Sequence, residues 1–284
     1  PSDLLVGFDF SKKSFQGQFG HHTYGTSLYQ STAAFSKAKG DKDRRFGEKS
    51  QSPMLWALRL SVPTINLYNF SIYDHFYGIS SKEAYEKDAI LNIATYSADV
   101  EEEGLVPYLK KSVSIISSQE DQGDDFNPIP FMNHVVSHLN HQDKPKLVTA
   151  FIYSSGDIED RLRDHFKELI IDSSYLPIKW VFIVVGKDSE SNEISQILKK
   201  TKNSPKFFDN SLCINMHNYF DFDGVSEWTK FDIDDSMKES KIKKFEKDVQ
   251  NFMSKDYENK VLKLIKVREK VIECEKSRSN RVIY

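Results

Sequence analysis

The chain has 284 residues, enough to bury a substantial core as one large domain or two small ones. Its 39 lysines and arginines nearly balance its 42 aspartates and glutamates, and the formal net charge is -3. The basic residues are dispersed, which argues against a nucleic-acid-binding surface. The two cysteines, Cys213 and Cys274, form no CxxC pair, so neither a disulfide framework nor a structural zinc site is expected. This pattern predicts a reducing, cytoplasmic location.

The first predicted strand is the segment around which the chain is organised. Leu4, Leu5, Val6 and Phe8 form an apolar run without alternation, which is typical of a central strand covered on both faces. The run ends at Asp9. In open α/β sheets, ligands bind just beyond the carboxyl ends of the strands, so Asp9 and the serines that follow it are candidate site residues.

The next part of the chain gives a mixed series of elements. A polar stretch at 36–51 predicts an inserted surface loop. Ser52 and Pro53 favour a helix start, with Leu55, Leu58 and Val62 on one side. Further predicted elements, in order, are a strand at 65–73 with a short partner at 89–94, a helix at 99–116, a loop at 119–130 and a helix at 131–139.

The second half predicts a βαβ unit. Segments 146–154 and 178–185 are nearly all apolar, and apolar residues recur at helical spacing between them. A helix at 194–200, a strand at 212–216 and C-terminal helices over 238–275, packing on the sheet, complete the series. We therefore expect one domain over 1–284, an α/β doubly wound fold with a mostly parallel central sheet and helices on both faces.

Several stretches then resemble a known family. Residues 6–11, Val-Gly-Phe-Asp-Phe-Ser, resemble the opening strand of a von Willebrand factor A domain, whose metal site begins Asp-x-Ser/Thr-x-Ser. The order of the later signals is similar to copines and related plant ubiquitin ligases. The stretches that carry this resemblance are Ser27-Leu28-Tyr29, Ser52-Pro53, and residues 127–135, 152–160 and 174–186.

The resemblance implies a divalent cation held by oxygens from three loops, but key ligands are replaced. Asp9 and Ser11 fit the first two positions, whereas the third is Lys13. Phe126 stands where a threonine is expected, and Ser155 stands where the third loop should supply an aspartate. At ~4 Å and an effective dielectric of ~20, two like unit charges repel by about 4 kcal/mol, and a divalent ion feels about twice that. A conventional metal site is therefore not expected.

Three interpretations of this edge remain open. In the first, Lys13 takes the cation's place, paired with Asp9 and hydrogen-bonded by Ser11 or Ser155, and partners bind without metal. In the second, Lys13 turns to solvent and a shifted Mg²⁺ or Ca²⁺ site forms. Its ligands would be Asp9, Ser11 and Ser14 with Asp124, Asp125 or Asp157, and Asp9, Ser11 and Asp125 are its core set. In the third, Asp9 caps a neighbouring backbone amide.

Other constellations give weaker signals. His134 and His138 have the i, i+4 spacing of a zinc-binding helix, but no HExxH pattern is present, and a surface helix with ordinary histidines is the simpler interpretation. The sequence contains no GxxxxGK[ST] loop and no GxSxG elbow, and no GxGxxG follows a strand, so an enzyme is not expected. Cys213 and Cys274 are interpreted as structural.

Together these observations predict a non-enzymatic protein-interaction or scaffolding module with no cofactor and no nucleic-acid partner. The family resemblance implies membrane contact only indirectly, through other domains or partners. The alternatives are metal-dependent ligand binding by a shifted site, or an α/β enzyme. The expected partner-binding rim consists of Asp9, Ser11, Lys13, Ser14, Asp124, Asp125, Asn127, Ser155 and Asp157.

Overall fold

The elements below come from a computed structural model. It describes residues 2–11, 54, 57, 58, 61, 75–79, 90–92, 126–142, 146–185, 192–203, 209–216, 219, 235–252, 263–267, 269, 270, 273 and 274. The strands are β1 (Ser2–Asp9), β2 (Phe76–Ile79), β3 (Ile90–Asn92), β4 (Leu147–Ser154), β5 (Ile178–Val184) and β6 (Ser211–Asn215). The helices are α1 (Ile129–Asn140), α2 (Arg163–Ser173), α3 (Glu193–Lys202) and α4 (Asp235–Phe252), with a 3-10 turn at Asp160–Leu162.

The strands form one sheet in the order β3-β2-β1-β4-β5-β6. All neighbours are parallel except β2 and β3, which pair antiparallel at one edge of the sheet. The predicted doubly wound, mostly parallel α/β fold is confirmed. From β1 the chain adds β2 and β3 on one side, and it then returns to place β4 on the other side of β1. The carboxyl ends of β1 and β4 therefore flank the switch point where α/β sheets bind ligands.

Both faces of the sheet are covered. One face carries Leu5, Ala150 and Trp180, which share a buried core with side chains of α1, α2 and α3. Residues of opposite parity lie on the other face because side chains alternate along a strand. There the Phe8 and Tyr153 rings stack with centroids 4.9 Å apart, and the Tyr153 hydroxyl is hydrogen-bonded to Ser61, a helical residue.

The helix α4 also touches that second face. The Lys179 ammonium, buried on β5, donates to the Phe252 carbonyl at 3.5 Å and lies 5.3 Å from the centre of the Phe252 ring. A positive charge at the last turn of a helix is favourable because the carbonyls there lack partners. Phe245 and Val249 of the same helix are buried.

Most predicted elements agree with the structure. The strand predicted at 89–94 is observed as β3, but its partner is β2, which the sequence did not predict. The helix expected at 131–139 begins at Ile129, because prolines at the first positions of a helix fit its geometry. Residues 54, 57, 58 and 61 are helical and buried, so the helix expected there is present at Leu58. The loop at 36–51, strand 65–73, helix 99–116, Leu55 and Val62 lie outside the described residues.

Candidate functional site

Asp9, the last residue of β1, is the centre of the candidate site. Its side chain is fully buried. One carboxylate oxygen, Oδ1, accepts the backbone N–H of Ser11 at 2.9 Å, and Oδ2 accepts the backbone N–H of Ser155 at 3.3 Å. Ser155 directly follows β4. The Asp9 carboxylate thus joins the ends of the two strands that flank the switch point.

The loop that follows β4 is held by its own serines. The Ser154 hydroxyl accepts the N–H of Gly156 at 3.3 Å, and the Ser155 hydroxyl accepts the N–H of Asp157 at 3.4 Å. Gly156 has φ +96°, and a Cβ atom there would lie 2.6 Å from a Val184 methyl carbon. Both the backbone conformation and the close approach require glycine at this position.

Asn127 lies at the same edge of the sheet. Its buried side-chain oxygen accepts the N–H of Ile129, the first residue of α1, at 3.1 Å. The helix runs antiparallel to β1: a Cβ on Gly7, near the end of β1, would lie 2.9 Å from the Phe131 ring, while His138 reaches Asp3 at the start of β1. The start of α1 is therefore at the carboxyl edge, beside the loops after β1 and β4.

Glu193 is a residue of this edge that the sequence analysis missed. Its carboxylate accepts the N–H of Ile158 at 2.9 Å and the Arg163 guanidinium at 2.7 Å. It therefore fastens the loop after β4 to the first turn of α3. The sequence did contain a signal for Glu193, because an acidic residue in the first turn is typical of a helix start. The residue before it, Asn192, caps the helix: its side chain accepts the N–H of Ser195 at 3.0 Å.

The structure thus brings Asp9, Ser11 and Ser155 into direct contact and places Asn127 and the half-buried Asp157 at the same edge. Lys13, Ser14, Asp124 and Asp125 lie outside the described residues. The interpretations that depend on them, an ammonium in the cation's place and a shifted metal site, stay predictions. Asp9 does accept backbone amides, as the third interpretation expected. Within the described ranges, no group of three or more His, Cys, Asp or Glu side chains is placed to hold a metal ion.

No protein-family model matches this sequence, and no curated protein matches it either. Among the helices of the described part of the chain, none combines the length and apolar character needed to cross a membrane.

Proposed function

We propose that the chain is a non-enzymatic protein-interaction module of the copine-like von Willebrand A type, which binds a partner at the carboxyl rim of its sheet without a conventional metal site. The rim, in its described part, consists of Asp9, Ser11, Asn127, Ser155 and Asp157. The observation that carries the proposal is the pair of hydrogen bonds by which the Asp9 carboxylate joins the loops after β1 and β4.

The arrangement of the similar segments supports the family. Residues 6–11, 127–135 and 152–160 are far apart in sequence, and each resembles a different loop of the family's site. Their ends lie at one edge of the sheet, where Asp9 and Ser155 are in contact. A parallel sheet with β1 at its centre and an antiparallel edge strand also fits such a domain.

The hydrogen bonds of the Asp9 carboxylate support a binding role. A hydrogen bond to a charged group contributes about 1.5–3 kcal/mol, so these two bonds hold the loops after β1 and β4 together. The same bonds make the rim a preorganised surface, because they fix the backbone of two loops before a partner arrives. Preorganisation increases affinity by reducing the ordering cost of binding.

The proposal is tested by site-specific photo-crosslinking in extract from the source cells. A photoreactive phenylalanine analogue replaces Asp157 on the rim or, as a matched control, the exposed Asp172 in the last turn of α2. The last turn of α2 lies at the opposite edge of the sheet. We expect a discrete adduct from position 157, the same with and without a chelator, and none from position 172.

The other outcomes separate the alternatives. An adduct at position 157 that disappears in chelator and returns with Mg²⁺ or Ca²⁺ would favour the shifted metal site. Adducts only at position 172, or equal adducts at both positions, would contradict a rim interaction. Once the adduct identifies the partner, Asp9→Asn should weaken its binding to the purified chain at least tenfold, whereas Asp172→Asn should leave it unchanged.

A further inference from the structure

A second cluster of ionisable groups lies at the opposite, amino edge of the sheet. His75 stands just before β2, and His134 and His138 lie one turn apart on α1. The rings of His75 and His138 meet edge to face with centroids 5.4 Å apart. The His134 ring meets the Tyr77 ring of β2 in the same manner at 4.8 Å. The sequence suggested the two helical histidines as a pair, and the structure adds a third, 59 residues away along the chain.

His134 is a half-buried member of this cluster. Its Nε2 atom is buried and, within the described part of the chain, has no hydrogen-bond partner. The pKa of His134 is lowered from its ordinary value, first by burial and then by the charges of His138 and His75. The neighbouring helical positions Val135 and Leu139 are fully buried, whereas Asn133, Ser137 and Asn140 are exposed, so α1 lies at the surface with one face in the core. A proton on His134 would place a charge against the Tyr77 ring and two other imidazoles.

The charged groups that face the cluster come from several elements. Asp3 of β1 accepts Gln142 Nε2 at 2.7 Å, His138 Nε2 at 3.3 Å and the Lys146 ammonium at 3.3 Å. Lys146 precedes β4, and its backbone N–H donates to the Gln142 side-chain oxygen at 3.0 Å. Asp3 therefore already faces a full positive charge and one histidine.

Helix α2 also packs against α1. Arg163 of α2 is paired with Asp160 and Glu193, and the helix's other ionisable side chains are exposed: Asp164, His165, Lys167, Glu168 and Asp172. Among the described residues, Asp3 is therefore the carboxylate that faces the cluster, and nothing there compensates a proton on His134.

We propose that His134, in its cluster with His75 and His138, is a pH-sensitive latch: α1 stays packed against β1 and β2 while His134 is neutral, and the helix opens more readily on acidification. When α1 is released, His134 returns to water and takes up a proton more readily. The stability of the packed helix is therefore complete above the ordinary histidine pKa of about 6.5 and decreases progressively as the pH falls below that value. The inference does not rest on the proposed rim interaction.

The latch is tested by amide hydrogen exchange of the full chain at pH 7.5 and 5.5, corrected for the intrinsic rate of exchange. We expect the protection of α1 to fall more on acidification than that of α2, by up to about tenfold, because pH 5.5 lies one unit below the ordinary histidine pKa of about 6.5 and only the opened helix lets His134 take up the proton freely. In His134→Gln, the extra loss in α1 should disappear. His165→Gln, on the exposed face of α2, is the matched control and should keep it.

His75→Gln is a second variant in case His134→Gln fails to fold. It removes one of the two charges that oppose a proton on His134, so the extra loss in α1 should shrink. Equal losses in α1 and α2 of the unaltered chain would overturn the latch, as would an unchanged extra loss in both variants. Stoichiometric Zn²⁺ binding that protects α1 at neutral pH and is absent from His134→Gln would also overturn it, in favour of a metal site.

Discussion

Two buried threonines differ in the hydrogen bonding of their hydroxyl groups. Thr149 of β4 and Thr201 of α3 are both fully buried. The Thr201 hydroxyl donates to the Ile197 carbonyl at 2.8 Å, whereas Thr149 Oγ1 has no hydrogen-bond partner among the residues that the structure describes. Valine has nearly the shape of threonine and lacks the hydroxyl. The change in the free energy of unfolding caused by Thr149→Val therefore measures the cost of burying a hydroxyl without a hydrogen bond. The change caused by Thr201→Val measures the contribution of a hydroxyl that has one.

The two substitutions should shift stability in opposite directions. Burying a hydroxyl without a hydrogen bond costs about 1–3 kcal/mol, so Thr149→Val should raise the free energy of unfolding by about 1–2 kcal/mol. Valine also suits a strand. Thr201→Val removes a hydrogen bond worth about 1 kcal/mol and should lower the free energy of unfolding by about that much. The helix propensities of valine and threonine are similar, so a difference in propensity contributes little to the effect of Thr201→Val.

Urea denaturation followed by circular dichroism measures both shifts. With a denaturant slope of about 3 kcal/mol/M, the Thr149→Val midpoint should rise by about 0.5 M and the Thr201→Val midpoint should fall by about 0.3 M. Unchanged slopes would show that folded and unfolded states keep their compactness. A lower midpoint for Thr149→Val, or shifts of the same sign in both variants, would refute the assignment of Thr149 as unpartnered.

Three further outcomes are expected. Gly156→Ala should lower the free energy of unfolding by about 2–4 kcal/mol in urea, because it combines a positive φ with a Cβ contact of 2.6 Å to Val184; Ser155→Ala, its neighbour, should cost less. Native protein at pH 8 should show one thiol that reacts with Ellman's reagent and denatured protein two, because burial raises the pKa of Cys213 to about 12 while Cys274 is exposed. Asp9→Asn should lower the melting temperature by about 5 °C, because the asparagine NH₂ group would then face one of the two backbone N–H groups that Asp9 accepts. An unchanged melting temperature would contradict the bridge that Asp9 forms between β1 and β4.

The sequence predicted the strands whose apolar runs are long. β4 and β5 are seven or eight residues of mostly apolar character, and β1 has an apolar middle between Asp3 and Asp9. β2 has only four residues, and its Gly78 is unfavourable in a strand by composition. In the structure that glycine is required, because a Cβ there would collide with the Phe10 ring. A contact between residues so far apart in the chain leaves no recognisable pattern in the local sequence. The antiparallel direction of β3 is likewise invisible in a three-residue segment.

The candidate site divides in the same way. Asp9 and Ser155 could be predicted because each stands directly after an apolar run, and parallel strands bring such positions to one edge. Glu193 could not, because its partners Ile158 and Arg163 lie about 30 residues earlier and an acid at a helix start already has a local explanation. The position of His75 beside the other histidines could not be predicted either. It follows from the packing of α1 on β2, and no spacing in the sequence indicates that packing.

Helix α1 links the two edges of the sheet. Asn127 fixes its first residue at the carboxyl edge, and His138 holds its last turns to Asp3 at the amino edge. Twelve helical residues span about 18 Å, and a helix with a buried face moves as a unit more readily than it bends. If the latch and the rim both act as proposed, release at the amino edge also loosens Asn127 at the carboxyl edge. Reciprocity then follows: a partner that fixes the rim must shift the latch's release to lower pH by the same free energy by which acid weakens that partner's binding.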